Sequence, residues 1–125
     1  MKMIIAMIKI DKMNETKAAL SEIGLPSFMA TGKVFGRGKG RWEAKVLEGV
    51  KEEQPEALAL LNEQPRLRPQ RMLTIVVADN KVKTCVNTLI KANQTGKAGD
   101  GKIFVMPMTE AISVRTAESG NAVLD

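Results

Sequence analysis

The sequence predicts an α+β fold with the order strand, helix, strand, strand, helix, strand (βαββαβ), the ferredoxin-like plan of two βαβ-like halves. Two observations lead there. The run Met72 to Ala78, MLTIVVA, is the clearest strand in the chain, and behind it Val82, Cys85, Val86, Leu89 and Ile90 fall at the i, i+3, i+4, i+7, i+8 spacing of an amphipathic helix. The chain opens the same way, with a run rich in isoleucine and methionine followed by a helical stretch.

Lys2 to Ile10 has the length of a buried strand. Asp11 or Asn14 is expected to cap a helix from about Glu15 to Ile23, because a short side-chain oxygen can accept from the first free N–H groups. Met13, Ala19, Leu20 and Ile23 would face one side of that helix. Gly24 stops it and Pro26 follows. Phe28 to Phe35 reads as the second strand and Met72 to Ala78 as the third. Asp79 or Asn80 is expected to cap the second helix. Ile103 to Met108 is the fourth strand, and Ala111 to Thr116 is expected to form a short extra C-terminal strand. The tail after Glu118 offers little to pack. Helices would cover one face of such a sheet, and an exposed apolar second face invites self-association, so an oligomer is expected.

Composition narrows the class. A chain of 125 residues, 44% hydrophobic and 26% charged, suits a single domain spanning 1–125. The lone Cys85 excludes an internal disulfide and fits a reducing compartment. There is no histidine, which removes His-based catalysis and His metal sites. The run MKMIIAMIKIDK is too short and too interrupted for a signal peptide or a membrane span, so a cytoplasmic protein without membrane insertion is expected. A net charge of +5 admits phosphorylated ligands, acidic surfaces or nucleic acid. Aromatics are only 3%, too few for the stacking platforms of single-strand binders, which argues against nucleic acid.

Gly36 to Arg71 breaks the pattern, since it joins two strands that should be neighbours by a segment far longer than a hairpin needs. Loops of that length inside a compact domain are usually functional or disordered. Arg37, Lys39 and Arg41 crowd one root and Arg66, Arg68 and Arg71 the other, while Glu48, Glu52, Glu53 and Glu56 lie toward the tip. Pro55 to Glu63 could form a short helix with proline at its first position. Trp42 is the chain's single tryptophan. Tryptophan and arginine dominate interface hot spots, so Arg41, Trp42, Arg66 and Arg68 are candidate partner contacts, with Leu58, Leu60 and Leu61 as an apolar patch beside them.

Chemistry concentrates in two glycine-rich basic segments. Thr95 to Val105, TGKAGDGKIFV, has Gly96, Gly99 and Gly101 to turn the backbone and aim N–H groups at an anion, with Lys97 and Lys102 alongside. Its spacing is not that of a Walker A loop, and it precedes a strand rather than a helix. Gly36-Arg37-Gly38-Lys39-Gly40-Arg41 is the second segment. The arginine fork suits phosphate oxygens. The two segments could form two walls of one anion site, between subunits if not within one.

These residues resemble those of PII-type nitrogen-regulatory signalling proteins. Thr95-Gly-Lys-Ala-Gly-Asp-Gly-Lys-Ile-Phe104 is similar to their phosphate-binding B-loop and Thr84 to Ile90 to the helix before it. Phe35-Gly-Arg37 with Lys39-Gly40 resembles the start of their mobile T-loop, here 36–71, and Val114-Arg-Thr116 their C-terminal strand. The resemblance runs from about residue 2 to 116, except inside the long loop. It implies a trimer, homomeric or mixed with a paralogue, that binds ATP or ADP in three clefts between subunits. Gly36 and Arg37 would meet the phosphates, Gly99, Asp100, Gly101 and Lys102 would cradle them, and Arg115 would approach across the cleft.

Departures bear on the effector. The family's glutamine that helps hold Mg²⁺ and 2-oxoglutarate is Gly38 here, and its lysine for a 2-oxoglutarate carboxylate is Gln70. Gly38, Lys39, Gly40 and Gln70 are therefore the effector candidates, with no metal ligand expected from protein side chains. One of two C-terminal arginines is Ser113. Segment 36–71 has no Tyr, Ser or Thr, so hydroxyl uridylylation or phosphorylation is impossible there. A long, unmodifiable T-loop looks like the nitrogenase-associated (nif-operon) branch, whose members inhibit that enzyme by direct contact. The resemblance thus implies a regulator rather than an enzyme, with nitrogenase as the target. Control of an ammonium transporter or of glutamine synthetase is the alternative within the family. A slow ATPase is disfavoured because no paired carboxylates stand ready to activate water.

Overall fold

The computed structural model of the chain describes residues 1–36 and 67–124. β1 (Lys2–Ile8) buries every second residue, so Ile4, Ala6 and Ile8 point into the core. That two-residue period is the pleat of a strand with one face packed. A single 3-10 turn, Ile10–Lys12, leads into α1 (Met13–Glu22). Neither Asp11 nor Asn14 caps it. Lys12 stands at the cap with helical angles, because the 3-10 turn already supplies the first backbone bonds and no side-chain oxygen is called on. Met13 and Leu20 are buried as expected, but Ile23 lies past the helix end and is exposed, while Thr16 takes a fully buried place. Gly24, with φ +79, turns the chain out of the helix.

β2 (Met29–Gly36) and β3 (Arg68–Val77) pair antiparallel, from Met29↔Thr74 to Gly36↔Arg68, with a register shift between Ala30 and Lys33. β3 begins four residues earlier than the run MLTIVVA suggested. Arg68 to Arg71, assigned to the long loop on composition, are strand, because β2 extends beside them to Gly36. Pro69 is accommodated there because β1 ends at Ile8, opposite Arg71, and leaves one side of this stretch of β3 without a neighbour.

A second 3-10 turn, Asp79–Lys81, precedes α2 (Val82–Asn93). Again the expected caps, Asp79 and Asn80, do not cap the helix, which starts from Lys81. Asp79 instead holds the amino group of Met1 at 3.0 Å, whose hydrogen bond and charge keep its carboxyl below the ordinary range. β4 (Lys102–Pro107) completes the sheet in the order β2-β3-β1-β4, with β1 antiparallel to both β3 and β4. This is the ferredoxin-like arrangement.

Both helices lie on one face. Ile4, Ala6, Ile8, Leu73, Ile75 and Val77 from the sheet pack against Met13, Leu20, Cys85 and Leu89 in one core. Burial pushes the Cys85 thiol up to about 11, so it behaves as a small apolar side chain. The other face carries Met3, Ile5, Met7, Met72, Thr74 and Val76, with Phe104 and Met106 exposed. No described element covers it.

Beyond β4, Ala111 to Thr116 is not a strand. Ile112 and Ser119 make an isolated bridge that closes a turn, with Val114 fully exposed at its tip. Ala117, at φ +60, bends the chain too sharply for a ladder to run on. The tail does find packing. Val123 and Leu124 are half-buried, and Asn121 and Leu124 line a small hollow together with Leu25, Ile75 and Val77 at the end of β3.

Leu73, fully buried at the middle of the core, reads out the cost of opening it. Leu73→Ala is expected to destabilise the fold by about 2–5 kcal/mol, the range for a buried leucine left as a cavity. Urea unfolding at fixed protein concentration should show the shift in midpoint without a large change in slope.

Candidate functional site

The segment between α2 and β4 is where the backbone does something unusual. α2 ends when Gln94 turns extended while its N–H still bonds Ile90 O at 2.8 Å. The loop then passes through three glycines at positive φ, Gly96 at +80, Gly99 at +94 and Gly101 at +110. Only glycine takes such angles without strain. At Gly101 the requirement is doubled, since a Cβ there would stand 1.7 Å from the carbonyl oxygen of Met7. Gly101 is therefore the point where the loop presses onto β1, and it fixes the height of the loop over the sheet.

Asp100 holds the loop's shape. Its carboxylate accepts from the Thr95 hydroxyl at 2.5 Å, from the Thr95 N–H at 2.7 Å and from the Gly96 N–H at 3.0 Å. Lys9, just past the end of β1, adds an ion pair at 3.3 Å. Hydrogen bonds from the Thr95 side chain, then from its backbone N–H, outweigh the effect of burial and lower the Asp100 carboxyl from 3.8 to about 2. Asp100 thus spends its charge on the loop itself. The N–H groups of Ala98 and Gly99 make no hydrogen bond to the protein among the described residues. Lys97 and Lys102 are exposed beside them. The product is a rigid turn with free N–H donors and two cations, the make-up of an anion nest. Below it lies a hollow of about 350 Å³ walled by Leu89, Ile90, Asn93, Gly101, Lys102 and Ile103.

Of the second glycine-rich segment only Gly36 is among the described residues, and the other root of the long segment is described at Arg68 to Arg71. Gly36 sits opposite Arg68, with the Gln70 side-chain oxygen 2.8 Å from where a Cβ on Gly36 would be. The loop root and the 95–101 loop emerge at the same end of the sheet but at opposite edges, with β3 and β1 between. Three strand spacings of about 4.8 Å put the two edges about 14 Å apart within one subunit. Arg71 at this root donates through Nε to Thr31 O at 2.9 Å across the β-bulge, a brace that no sequence signal pointed to. Arg115 lies exposed on the turn that follows the end of β4 opposite the loop. Arg37, Gly38, Lys39, Gly40, Arg41, Trp42, Leu58, Leu60, Leu61 and Arg66 lie outside the described residues. Among the described residues no cluster of carboxylate, cysteine or histidine side chains could hold a metal ion, and no helix is long and apolar enough to cross a membrane. Lys9 was not anticipated from the sequence, because its link to Asp100 joins the end of β1 to a loop 91 positions later (100 − 9 = 91).

The family model described as "Nitrogen regulatory protein P-II" matches residues 1–118. The chain is 40% identical over 126 residues to "Nitrogen fixation nifHD region glnB-like protein 2" of Methanococcus maripaludis, across 99% of this chain and all of that protein. It is 43% identical over 120 residues to the protein of the same description from Methanobacterium ivanovii, across 96% of each. It is 38% identical over 125 residues to "Nitrogen regulatory protein P-II 1" of Escherichia coli K12, across 99% of this chain and all of that one. Among solved structures, Arabidopsis thaliana PII bound to citrate superposes with a TM-score of 0.72 at 25% identity, over 98% of this chain and 88% of that one.

The loop's brace has a pH signature. A carboxyl with a depressed folded-state pKa contributes stability that is complete above its ordinary value and is lost as pH falls through the folded value. For Asp100 the loss runs from about pH 4 down to about 2. An NMR titration should place the Asp100 carboxyl midpoint near 2, with protection of the Thr95 and Gly96 amides lost over the same range. A midpoint near 4 would show that the brace does not exist.

Proposed function

The chain belongs to the nitrogen regulatory protein P-II family, and from that premise we propose that it is an ATP- and ADP-binding signalling protein that controls a target enzyme, nitrogenase, by direct contact through segment 36–71. Proteins of this family are regulatory signalling proteins. The observation that carries the nucleotide reading is the braced loop 95–101, with free N–H donors at Ala98 and Gly99 and exposed Lys97 and Lys102. Lys102 and the Gly99 backbone would hold phosphate oxygens. Charged donors supply the stronger share of such binding. Asp100 would keep the loop in shape for them rather than face them.

Assembly follows from the open sheet face. Burying Met3, Ile5, Met7, Met72, Val76, Phe104 and Met106 against other copies would remove them from water and form a trimer, homomeric or mixed with a paralogue. It would also let the Gly36 root and Arg115 of neighbouring copies approach the 95–101 loop. Arg37 would then join the phosphate site. The nucleotide, with Mg²⁺ in the case of ATP, biases segment 36–71 only as far as it binds one arrangement better than another. Gln70 offers an amide at the loop root, so a 2-oxoglutarate carboxylate finds no cation in that side chain. The names of the relatives at about 40% identity support nitrogenase as the target. The absence of Tyr, Ser and Thr from 36–71 supports control by ligand alone.

Calorimetry should find ATP and ADP binding in the intact protein, weakened about 10- to 150-fold in Lys102→Ala and in Arg37→Ala, equivalent to about 1.5–3 kcal/mol for a charge-assisted bond. Unchanged affinity in both variants would remove the site from this loop.

Deleting residues 49–64 is expected to leave the trimer, measured by light scattering, and nucleotide affinity intact, since shortening a loop changes closure entropy little. Inhibition of nitrogenase should vanish in the same protein. Retained inhibition would show that signalling does not run through this segment.

A further inference from the structure

One polar pair in the helix interface has no part in the site as described. Thr16 on α1 is fully buried and Asn93, the last residue of α2, is 6% exposed. They are the only buried polar residues among those described, in a core otherwise made of Ile, Leu, Val, Met, Ala and Cys. The Asn93 amide nitrogen donates to Thr16 Oγ1 at 3.0 Å and to Leu89 O at 2.9 Å. The Thr16 hydroxyl in turn donates to Lys12 O at 2.7 Å. One side chain therefore joins the last turn of α2 to the first turn of α1. Asn93 also walls the hollow beneath the loop, together with Gly101 and Lys102. Two residues further on, Thr95 makes the first contact with Asp100.

We propose that Asn93, held by Thr16, is the positioning residue of the anion loop. The loop has two ends to fix. Gly101 against the Met7 carbonyl and the β4 ladder hold the exit. Nothing apolar holds the entry, because Gln94 to Gly99 are all exposed. Among the described residues the Thr16–Asn93 pair is the one buried polar contact at that end. An apolar pair would fill the same space, but it could slide along the neighbouring helix, whereas a hydrogen-bonded pair fixes α2 in rotation and in register. The Thr95 and Gly96 N–H groups then meet Asp100 without a search. This deepens the nucleotide reading and rests on it only for the ligand, since the loop geometry itself can be read without any nucleotide.

The test uses the full-length protein as Thr16→Val, Thr16→Ser, Asn93→Leu and the double variant Thr16→Val/Asn93→Leu. Three readouts are thermal midpoint, amide exchange at Thr95 and Gly96 relative to core amides of β1 and β3, and ADP affinity. Each single apolar change strands a buried polar partner and lowers the midpoint, while the double variant, apolar on both sides, regains most of it. If Asn93 positions the loop, exchange at Thr95 and Gly96 in the double variant stays at least about tenfold faster than in the parent, and ADP binds about tenfold more weakly, despite the recovered midpoint. Thr16→Ser, which keeps the hydroxyl, behaves as the parent. Recovery of loop exchange together with the midpoint would overturn the proposal and leave the pair a packing feature alone. If the parent protein binds neither ADP nor ATP, the nucleotide reading fails, and the exchange measurement still decides the positioning role.

Discussion

Two helices can cover one face of a four-stranded sheet, and the rest of this molecule follows from what that leaves over. The covered face is closed by Ile4, Leu73 and Ile75 against Leu20 and Leu89. The uncovered face, lined by Met3, Ile5, Met7, Met72 and Val76, is too apolar to remain in water at no cost. Methionine suits such a face, because its flexible thioether fits a partner's relief more readily than a branched side chain does. The same half-covered plan puts the Gly36 root and the 95–101 loop at one end of the sheet but on opposite edges. On the proposed reading, a second copy supplies what each edge lacks, so assembly and ligand binding share one cause.

The 95–101 loop illustrates how an exposed turn is made rigid without a core of its own. Gly101 sets it directly on the Met7 carbonyl, and the Asp100 carboxylate gathers the Thr95 and Gly96 donors. The depressed Asp100 pKa has the same source as the loop's order: each donor that stabilises the carboxylate is also a donor immobilised by it. A loop fixed in advance loses less conformational freedom when an anion arrives, and that favours binding. The loop root around Gly36, Arg68 and Arg71 is built otherwise, on a bulged two-strand arm where Arg71 reaches back to Thr31. A bulge adds local twist, so the direction in which segment 36–71 leaves the sheet is set by backbone pairing.

Much of this was legible in the residues. The apolar runs of β1 and of Met72–Val77 in β3 showed as strands, and α2 showed as a 3.6-residue stripe, because burial on one face leaves a period that needs no partner to be seen. The glycines of 95–102 marked a turn at positive φ with lysines beside it, since such angles and exposed cations are properties of residue types. The resemblance to PII proteins rested on the same stretch and agrees with the family match.

What the sequence determined by itself was therefore whatever depends on one element alone: strand or helix, which face is apolar, which turn requires glycine. What only the tertiary structure decided depends on residues distant along the chain. Nothing in the sequence shows that the Asp100 carboxylate is held by Lys9 and Thr95. Asp79 reads as a helix cap until the Met1 amino group reaches it. Arg68 to Arg71 read as loop until β2 is seen to run beside them, and nothing in the sequence pairs Thr16 with Asn93 across the helix interface. A polar side chain has several partners open to it, differing by little in energy, and the fold selects among them through packing elsewhere. Apolar side chains have one preference, to leave water, and that is why their pattern alone could be read in advance.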